Sequence, residues 1–393
     1  MEWIAVMQNS QKFATRMSQI PFSGIRTVLE ECTRLENEGR DIVHLEIGRP
    51  DFDTPDPIKQ AAKDALDAGH VHYTSNYGIE PLREAIATKF EQDNGLTYDS
   101  DSEIAVTNGA TEAILVSILT LVDDEDEVLI PDPAWTYSPI IRLAGGTPVP
   151  YPLDPDDGFV PDMDAVADLL SERTALVVVN SPHNPTGGIV DGDAIDELAD
   201  LVSETDAYVL SDEIYEKIAY DDLEHESPAA QPGLYDRTVT INGVSKAYSM
   251  TGWRLGYLAA PAEILQGIIR TRQYTTTCAS SLSQHAAVQA IGSGLHEPMV
   301  EAFEQRRNLV VERIANISGM ECPAPKGAFY AFPTLPGGYE DDEEFVFSLL
   351  REAGVALVPG SVLGSTGEGH VRIAYSNSVP RINEAFDRIE AWL

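Results

Sequence analysis

Lys246 lies in a run of small, apolar and glycine residues, Val244-Ser245-Lys246-Ala247-Tyr248-Ser249-Met250-Thr251-Gly252-Trp253-Arg254, in a chain that otherwise avoids lysine: seven are present against 19 arginines. An amine kept in such surroundings suits Schiff-base chemistry, because a desolvated ammonium gives up its proton readily. Arg254, just ahead of Leu255-Gly256-Tyr257, is placed to hold an anion. A Schiff-base lysine beside an anion clamp is what pyridoxal phosphate requires.

Asp212 follows the apolar run Ala207-Tyr208-Val209-Leu210 and so falls at the carboxyl end of a buried strand, where open parallel sheets bind ligands. A carboxylate there can pair with a protonated ring nitrogen; at 4 Å and an effective dielectric near 20 that pair is worth about 4 kcal/mol. The competing readings are a helix cap or a magnesium site shared with Glu213. Tyr215 is three residues on, within reach of the same pocket. The segment Asn180-Ser181-Pro182-His183-Asn184-Pro185-Thr186-Gly187-Gly188 also follows a buried strand. Its prolines and glycines make a tight loop that presents the Asn184 amide, beyond what an ordinary strand-to-helix loop demands. Thr107-Asn108-Gly109-Ala110-Thr111 opens a helix, where unpaired N–H groups and the helix dipole favour phosphate; a capped helix explains it equally well. Trp135 can stack on a flat ring or fill the core. Arg372, inside the strand His370-Val371-Arg372-Ile373-Ala374-Tyr375, needs an anion if both faces are buried and is merely solvated if one is wet. His70 and His72 offer a metal pair but no further ligand, so they read as structural and no metal is expected.

The elements that must position these groups are legible as alternating strands and helices. Strands are expected at Ile104-Val106, Glu127-Ile130, Ala175-Asn180, Ala207-Ser211, Thr238-Asn242 and Gly256-Ala260, with helices such as Thr111-Val122 and Ala194-Ser203 between them. That order implies crossover units and a mainly parallel sheet covered on both faces, an α/β fold. An earlier helix spans Pro57-Ala68, with Asp56 as its cap and Gly69 as its end. Beyond about residue 280 the pattern becomes α+β. A long helical stretch from Ser283 towards Ser318 breaks near Gly292-Ser293-Gly294, and a strand at Ala328-Phe332 comes next. A helix at Asp342-Ala353, strands at Val355-Val358 and His370-Ser376 and a final helix after Pro380 complete the chain. Two domains are expected, a large one at 46–285 and a smaller, discontinuous one at 1–45 and 286–393.

Composition narrows the partners. With 64 acidic against 26 basic residues the net charge is −38, which repels nucleic acid and anionic lipid. The acid runs Asp123 to Glu127 and Glu340 to Glu344 read as solvated faces, since neither has the spacing of a calcium loop. So much acid with so little lysine suggests adaptation to high salt, where a Debye length of about 3 Å screens self-repulsion. Cys32, Cys278 and Cys322 are far apart, which suggests reduced, mostly buried thiols and a cytoplasmic setting. No signal-peptide core or membrane span is expected.

Together these segments resemble the class I/II aminotransferases of pyridoxal-phosphate fold type I, specifically the aspartate/aromatic subgroup of bacteria and archaea. The resemblance runs from about Ile20 to the C-terminus. It includes Leu45-Glu46-Ile47-Gly48-Arg49-Pro50-Asp51-Phe52-Asp53-Thr54-Pro55, His72-Tyr73-Thr74 and the Asn184 loop. Asp212-Glu213-Ile214-Tyr215, the Lys246 segment, Pro325-Lys326-Gly327-Ala328-Phe329-Tyr330 and Val371-Arg372-Ile373 complete it. The resemblance implies a large domain with a seven-stranded sheet and a smaller closing domain. It implies that Lys246 carries the cofactor and shuttles the substrate proton, and that Asp212 pairs with the ring nitrogen. Tyr215 and Asn184 would bond the phenolic oxygen, with Trp135 on the ring. Gly109, Ala110, Thr111, Ser245 and Arg254 would form the phosphate site, with Tyr73 reaching in from a second subunit of a homodimer. Arg372, Asn184 and the backbone at Gly48 would bind the substrate. Ala110 departs from subgroup members with serine there. The first 15 or so residues have no counterpart.

The implied reaction moves an amino group between an L-amino acid, aspartate or aromatic, and a 2-oxo acid such as 2-oxoglutarate. A dicarboxylate donor needs a second cation, for which Arg26 and Arg272 are candidates; Ile20, Pro21 and Phe22 could equally line an aromatic pocket. Alanine- or kynurenine-type transamination and carbon–sulfur β-elimination, on the same framework, are the rivals. A ligand-sensing regulator lacks room for a DNA-binding module and is disfavoured by the acidic surface.

Overall fold

The computed structural model describes residues 13–393, so the expectations for the extreme N-terminus lie outside the described residues at 1–12. Seven strands form one sheet: β1 (Ile104–Thr107), β2 (Glu127–Asp132), β3 (Thr147–Pro152), β4 (Thr174–Asn180), β5 (Tyr208–Asp212), β6 (Thr238–Gly243) and β7 (Gly256–Ala259). Their order is β1-β7-β6-β5-β4-β2-β3, and only β7 runs antiparallel to its neighbours. Successive residues of the central strands serve opposite faces. Leu176, Val178 and Leu210 pack with the helices Ala110–Leu121 and Ala262–Arg272, while Val177, Val179 and Val209 pack with Met163–Leu169 and Gly192–Ser203. Burial on both faces explains the near-continuous apolar runs that mark these strands in the sequence.

The edge strand β3, Thr147-Pro148-Val149-Pro150-Tyr151-Pro152, is not among the strands expected above; three prolines interrupt the run. Its prolines all face the open edge, and Thr147 N still donates to Asp126 O at 2.7 Å and Leu153 N to Asp132 O at 2.9 Å. Proline is tolerated at an edge because no ladder bond is lost there.

A second set of elements packs around a separate apolar cluster that includes Val28, Phe303, Phe345, Leu349 and Phe386. It consists of the helices Gly24–Asn37, Glu297–Ala315, Asp342–Ala353 and Val379–Trp392 with two small sheets. Val43–His44 pairs in parallel with Val355–Ala356, and Val371–Ala374 runs antiparallel between Val358–Pro359 and Tyr330–Ala331. The strand expected at Val355-Val358 is therefore two, split at Leu357 between sheets, and the one expected at Ala328-Phe332 shrinks to two paired residues. The break near Gly292 falls between the helices Ser281–Ala290 and Glu297–Ala315 as expected.

Two local readings need correction. Asp56 does not cap its helix: Pro55 occupies the cap position and Asp56 bonds Lys59 at 2.8 Å instead. Asp342 is not a solvated acid but a buried one, accepting from Ser361 N and Oγ, both at 2.7 Å. Among the described residues no helix is long and apolar enough to cross a membrane.

Candidate active site

Loops at the carboxyl ends of β2, β4, β5 and β6 converge with the start of the Ala110–Leu121 helix on a cavity of about 300 Å³. At the end of β5, Asp212 is buried. Its Oδ2 accepts from Tyr137 Oη at 2.7 Å and its Oδ1 from Ile214 N at 3.3 Å. Burial pushes this carboxyl up to about 6, with the Tyr137 hydrogen bond working the other way. Glu213 does not join it in a metal pair. It accepts from Ser211 Oγ at 2.8 Å and Ser227 Oγ at 2.7 Å and approaches His225 on its own buried side.

Lys246 follows β6, and its Nζ donates to Gly48 O at 2.7 Å. Burial, and then the Arg372 guanidinium, push the amine down to about 8, against the pull of Asp212. This is the direction a nucleophilic amine requires. After β4, the hydrogen bonds His183 N to Gly188 O (2.8 Å) and Gly187 N to His183 O (2.9 Å) close the proline-glycine loop. That loop buries Asn184, whose Oδ1 accepts from Arg372 Nη1 at 3.1 Å.

Arg372 is 2% exposed on a strand buried throughout, the first of the two alternatives its sequence left open. Its Nη2 donates to Glu46 O at 2.7 Å, its Nε has no partner, and it makes no ion pair among the described residues. A guanidinium buried without a counter-charge calls for an anion. The Tyr330 ring lies 4.8 Å from its carbon, and Tyr330 Oη bonds Tyr215 Oη at 2.8 Å. A Cβ on Gly48 would fall 2.2 Å from that Tyr330 hydroxyl, so glycine is needed for the close approach.

The cradle for a phosphate is also present. Gly109 precedes the Ala110–Leu121 helix with φ +83° and no side chain caps it, so the N–H groups of Ala110 and Thr111 have no hydrogen-bond partner among the described residues. A Cβ there would lie 2.7 Å from Arg254 Nη2. Thr111, Ser245 and the exposed Arg254 line the same end of the cavity. The residues thus fit pyridoxal phosphate: a perturbed amine, a buried acid and an anion cradle face one space.

Gly48, Ala110, Thr111, Trp135, Asn184, Asp212, Tyr215, Ser245, Lys246 and Arg254 all line this cavity. Trp135 stands at its rim, 42% exposed, and Tyr73 is not part of its lining and is 89% exposed. Sequence reasoning missed Tyr137 and Tyr330. Both lie inside segments it singled out for other residues, and only contact with Asp212 and Arg372 gives them meaning. Neither candidate second cation lines this cavity. Arg272 is fully buried against Glu112 at 3.0 Å, and Arg26 pairs with Glu30 at 2.9 Å on an exposed helix face. His70 stacks on His285, ring centroids 4.1 Å apart.

The chain is also similar to known proteins over most of its length. The model of the family described as aminotransferase class I and II matches residues 40–389. The chain is 42% identical over 356 residues to an aspartate aminotransferase of Pyrococcus abyssi, covering 89% of this chain and 91% of that one. It is 40% identical over 380 residues to aromatic-amino-acid aminotransferase 2 of Thermococcus litoralis, covering 95% and 96%. The crystal structure of the aspartate aminotransferase from Rhizobium meliloti superposes with a TM-score of 0.93 at 37% identity, covering 97% of this chain and 98% of the other.

Proposed function

This chain belongs to the class I and II aminotransferase family and is a pyridoxal-phosphate-dependent aminotransferase, and on that premise we propose that it serves aspartate or an aromatic amino acid as donor and 2-oxoglutarate as acceptor. The observation that carries the reading is the Lys246 amine, pushed down to about 8 in one cavity with Asp212 and the Gly109–Arg254 cradle. When bound, the cofactor supplies a carbonyl that condenses with amines and a ring that takes up an electron pair.

The residues then divide the work. Asp212 holds a proton at the ring nitrogen, because a buried carboxylate is stabilised by a cation there. Asn184 and Tyr215 would bond the phenolic oxygen, and Trp135 would stack on the ring. Gly109, Ala110, Thr111, Ser245 and Arg254 would hold the phosphate. Arg372 and the Gly48 backbone would bind the substrate α-carboxylate, orienting its Cα–H towards Lys246, whose neutral amine would take that proton as a base and, as the ammonium so formed, give it to the carbon that gains it in the transfer. Residues 46–285 would form the cofactor-binding domain and 1–45 with 286–393 the part that closes on it; the cluster around Val28, Phe303, Phe345 and Phe386, drawn mainly from the second part, supports this division. A homodimer in the cytoplasm completes the proposal; the Tyr73 ring, exposed and outside the lining of this chain's own cavity, supports it.

The test is a half-reaction. Purified, cofactor-loaded protein is mixed in turn with aspartate, phenylalanine and alanine, and the loss of the cofactor's visible absorbance is followed. Lys246→Ala abolishes turnover, and borohydride reduction followed by peptide mapping places the adduct on Lys246. Normal transamination by that variant would overturn the reading. Pyruvate released from a cysteine conjugate without any 2-oxo acid would favour β-elimination instead. Light scattering that gives a monomer would remove the dimer.

A further inference from the structure

With Arg26 and Arg272 engaged elsewhere, a dicarboxylic substrate still needs a cation for its second carboxylate. Three cationic side chains line the cavity: Arg49, Lys246 and Arg254. Lys246 and Arg254 already have partners in the amine and phosphate sites. Arg49 has none, since its side chain makes no hydrogen bond or ion pair among the described residues. That is unexpected in a chain with 64 acidic residues and 26 basic ones. Its acidic neighbours are satisfied by others: Asp51 is bonded by Arg306 at 2.6 and 3.1 Å, and Asp53 by Lys59 at 2.6 Å.

The root of Arg49 is fixed and its head is not. Its N–H donates to Ile47 O at 2.9 Å, and the preceding residue, Gly48, holds the Lys246 amine through its carbonyl. The exposed guanidinium also borders an adjoining open cavity of about 720 Å³, which gives the long stem room to swing. A planar fork is well suited to bidentate capture of a carboxylate.

We propose that Arg49 binds the distal carboxylate of aspartate, glutamate and their 2-oxo acids, and so sets the preference for dicarboxylic over neutral substrates. This rests on the aminotransferase reading above. Arg142 is the alternative cation: it borders a neighbouring cavity of about 700 Å³ with Phe22 and Trp135, outside the one that holds Lys246.

The experiment uses the holoenzyme in single-turnover half-reactions with aspartate, alanine and phenylalanine, so that no dicarboxylic acceptor is present. Losing a charge-assisted hydrogen bond lowers the aspartate-to-alanine ratio of kcat/KM roughly ten- to a hundredfold in Arg49→Gln. Arg49→Glu lowers it further, and Arg142→Gln leaves it within about twofold of the parent. Cofactor absorbance and circular dichroism confirm that the variants are folded and loaded. An unchanged ratio in Arg49→Gln, an equal loss with all three donors, a larger effect in Arg142→Gln, or a parent enzyme inert to aspartate would each overturn the proposal. Reaction of the parent with alanine or phenylalanine keeps the aminotransferase reading intact in every one of those cases; inertness to all three donors overturns both.

Discussion

Asp212 is kept out of water with two neutral hydrogen-bond donors, Tyr137 Oη and Ile214 N, and no cation bonded to it. Its folded-state proton affinity is raised, to about 6, so the folded chain binds this proton more tightly than the unfolded one. Stability of the cofactor-free protein therefore falls as pH rises from about 4 to 6, and the penalty is fully present above that. Asp212→Asn keeps the Tyr137 contact and removes the charge. It is expected to stabilise the cofactor-free protein at pH 7 by roughly 1 to 3 kcal/mol in urea unfolding, with no gain at pH 4. In the loaded enzyme the same change is expected to cost about a hundredfold or more in turnover, since on the proposed reading the ring nitrogen would lose its counter-charge. No gain in stability at pH 7 would mean that the carboxylate is better solvated than its burial implies. Lys246 obeys the opposite sign. In the cofactor-free protein its amine is expected to titrate near 8, read by the carbon shift of a methyl-labelled lysine; a midpoint above 10 would contradict its surroundings.

Among the elements, the segment that carries Gly48 matters through its backbone. Gly48 gives its carbonyl to Lys246 and has the Tyr330 hydroxyl where a side chain would stand. Gly48→Ala must push the segment or the tyrosine aside, so KM for every amino-acid donor is expected to rise about tenfold or more. Adding Tyr330→Phe should recover part of that loss in steady-state kinetics; no recovery would place the damage elsewhere. The same segment shows how far the sequence can be read. The carboxyl ends of buried strands are legible as apolar runs ending in Asp212 or Asn180, and the scarcity of lysine singles out Lys246. What stayed hidden depends on contacts between distant segments: Tyr137 under Asp212, Tyr330 on Arg372, and the diversion of Arg272 into an ion pair with Glu112. The edge strand β3 was masked by its prolines, whose missing N–H groups matter only if the neighbouring strand is on that side.

Over the whole molecule the net charge of −38 dominates. At 0.1 M salt the Debye length is about 10 Å, so like charges across the surface still repel, and at molar salt that repulsion is largely gone. The melting temperature is expected to rise by about 5 °C or more between 0.1 and 2 M KCl, followed by circular dichroism. A flat or falling trend would remove the idea of a high-salt habitat. The molecule also has a history in time. The Glu46 carbonyl that receives Arg372 leaves the ribosome 326 residues before its partner does, which at about 5 to 20 residues per second is a wait on the order of tens of seconds. On the proposed role of Arg372, the nascent chain holds its amine and its acid well before it can grip a substrate, so premature stops far downstream are expected to yield silent protein.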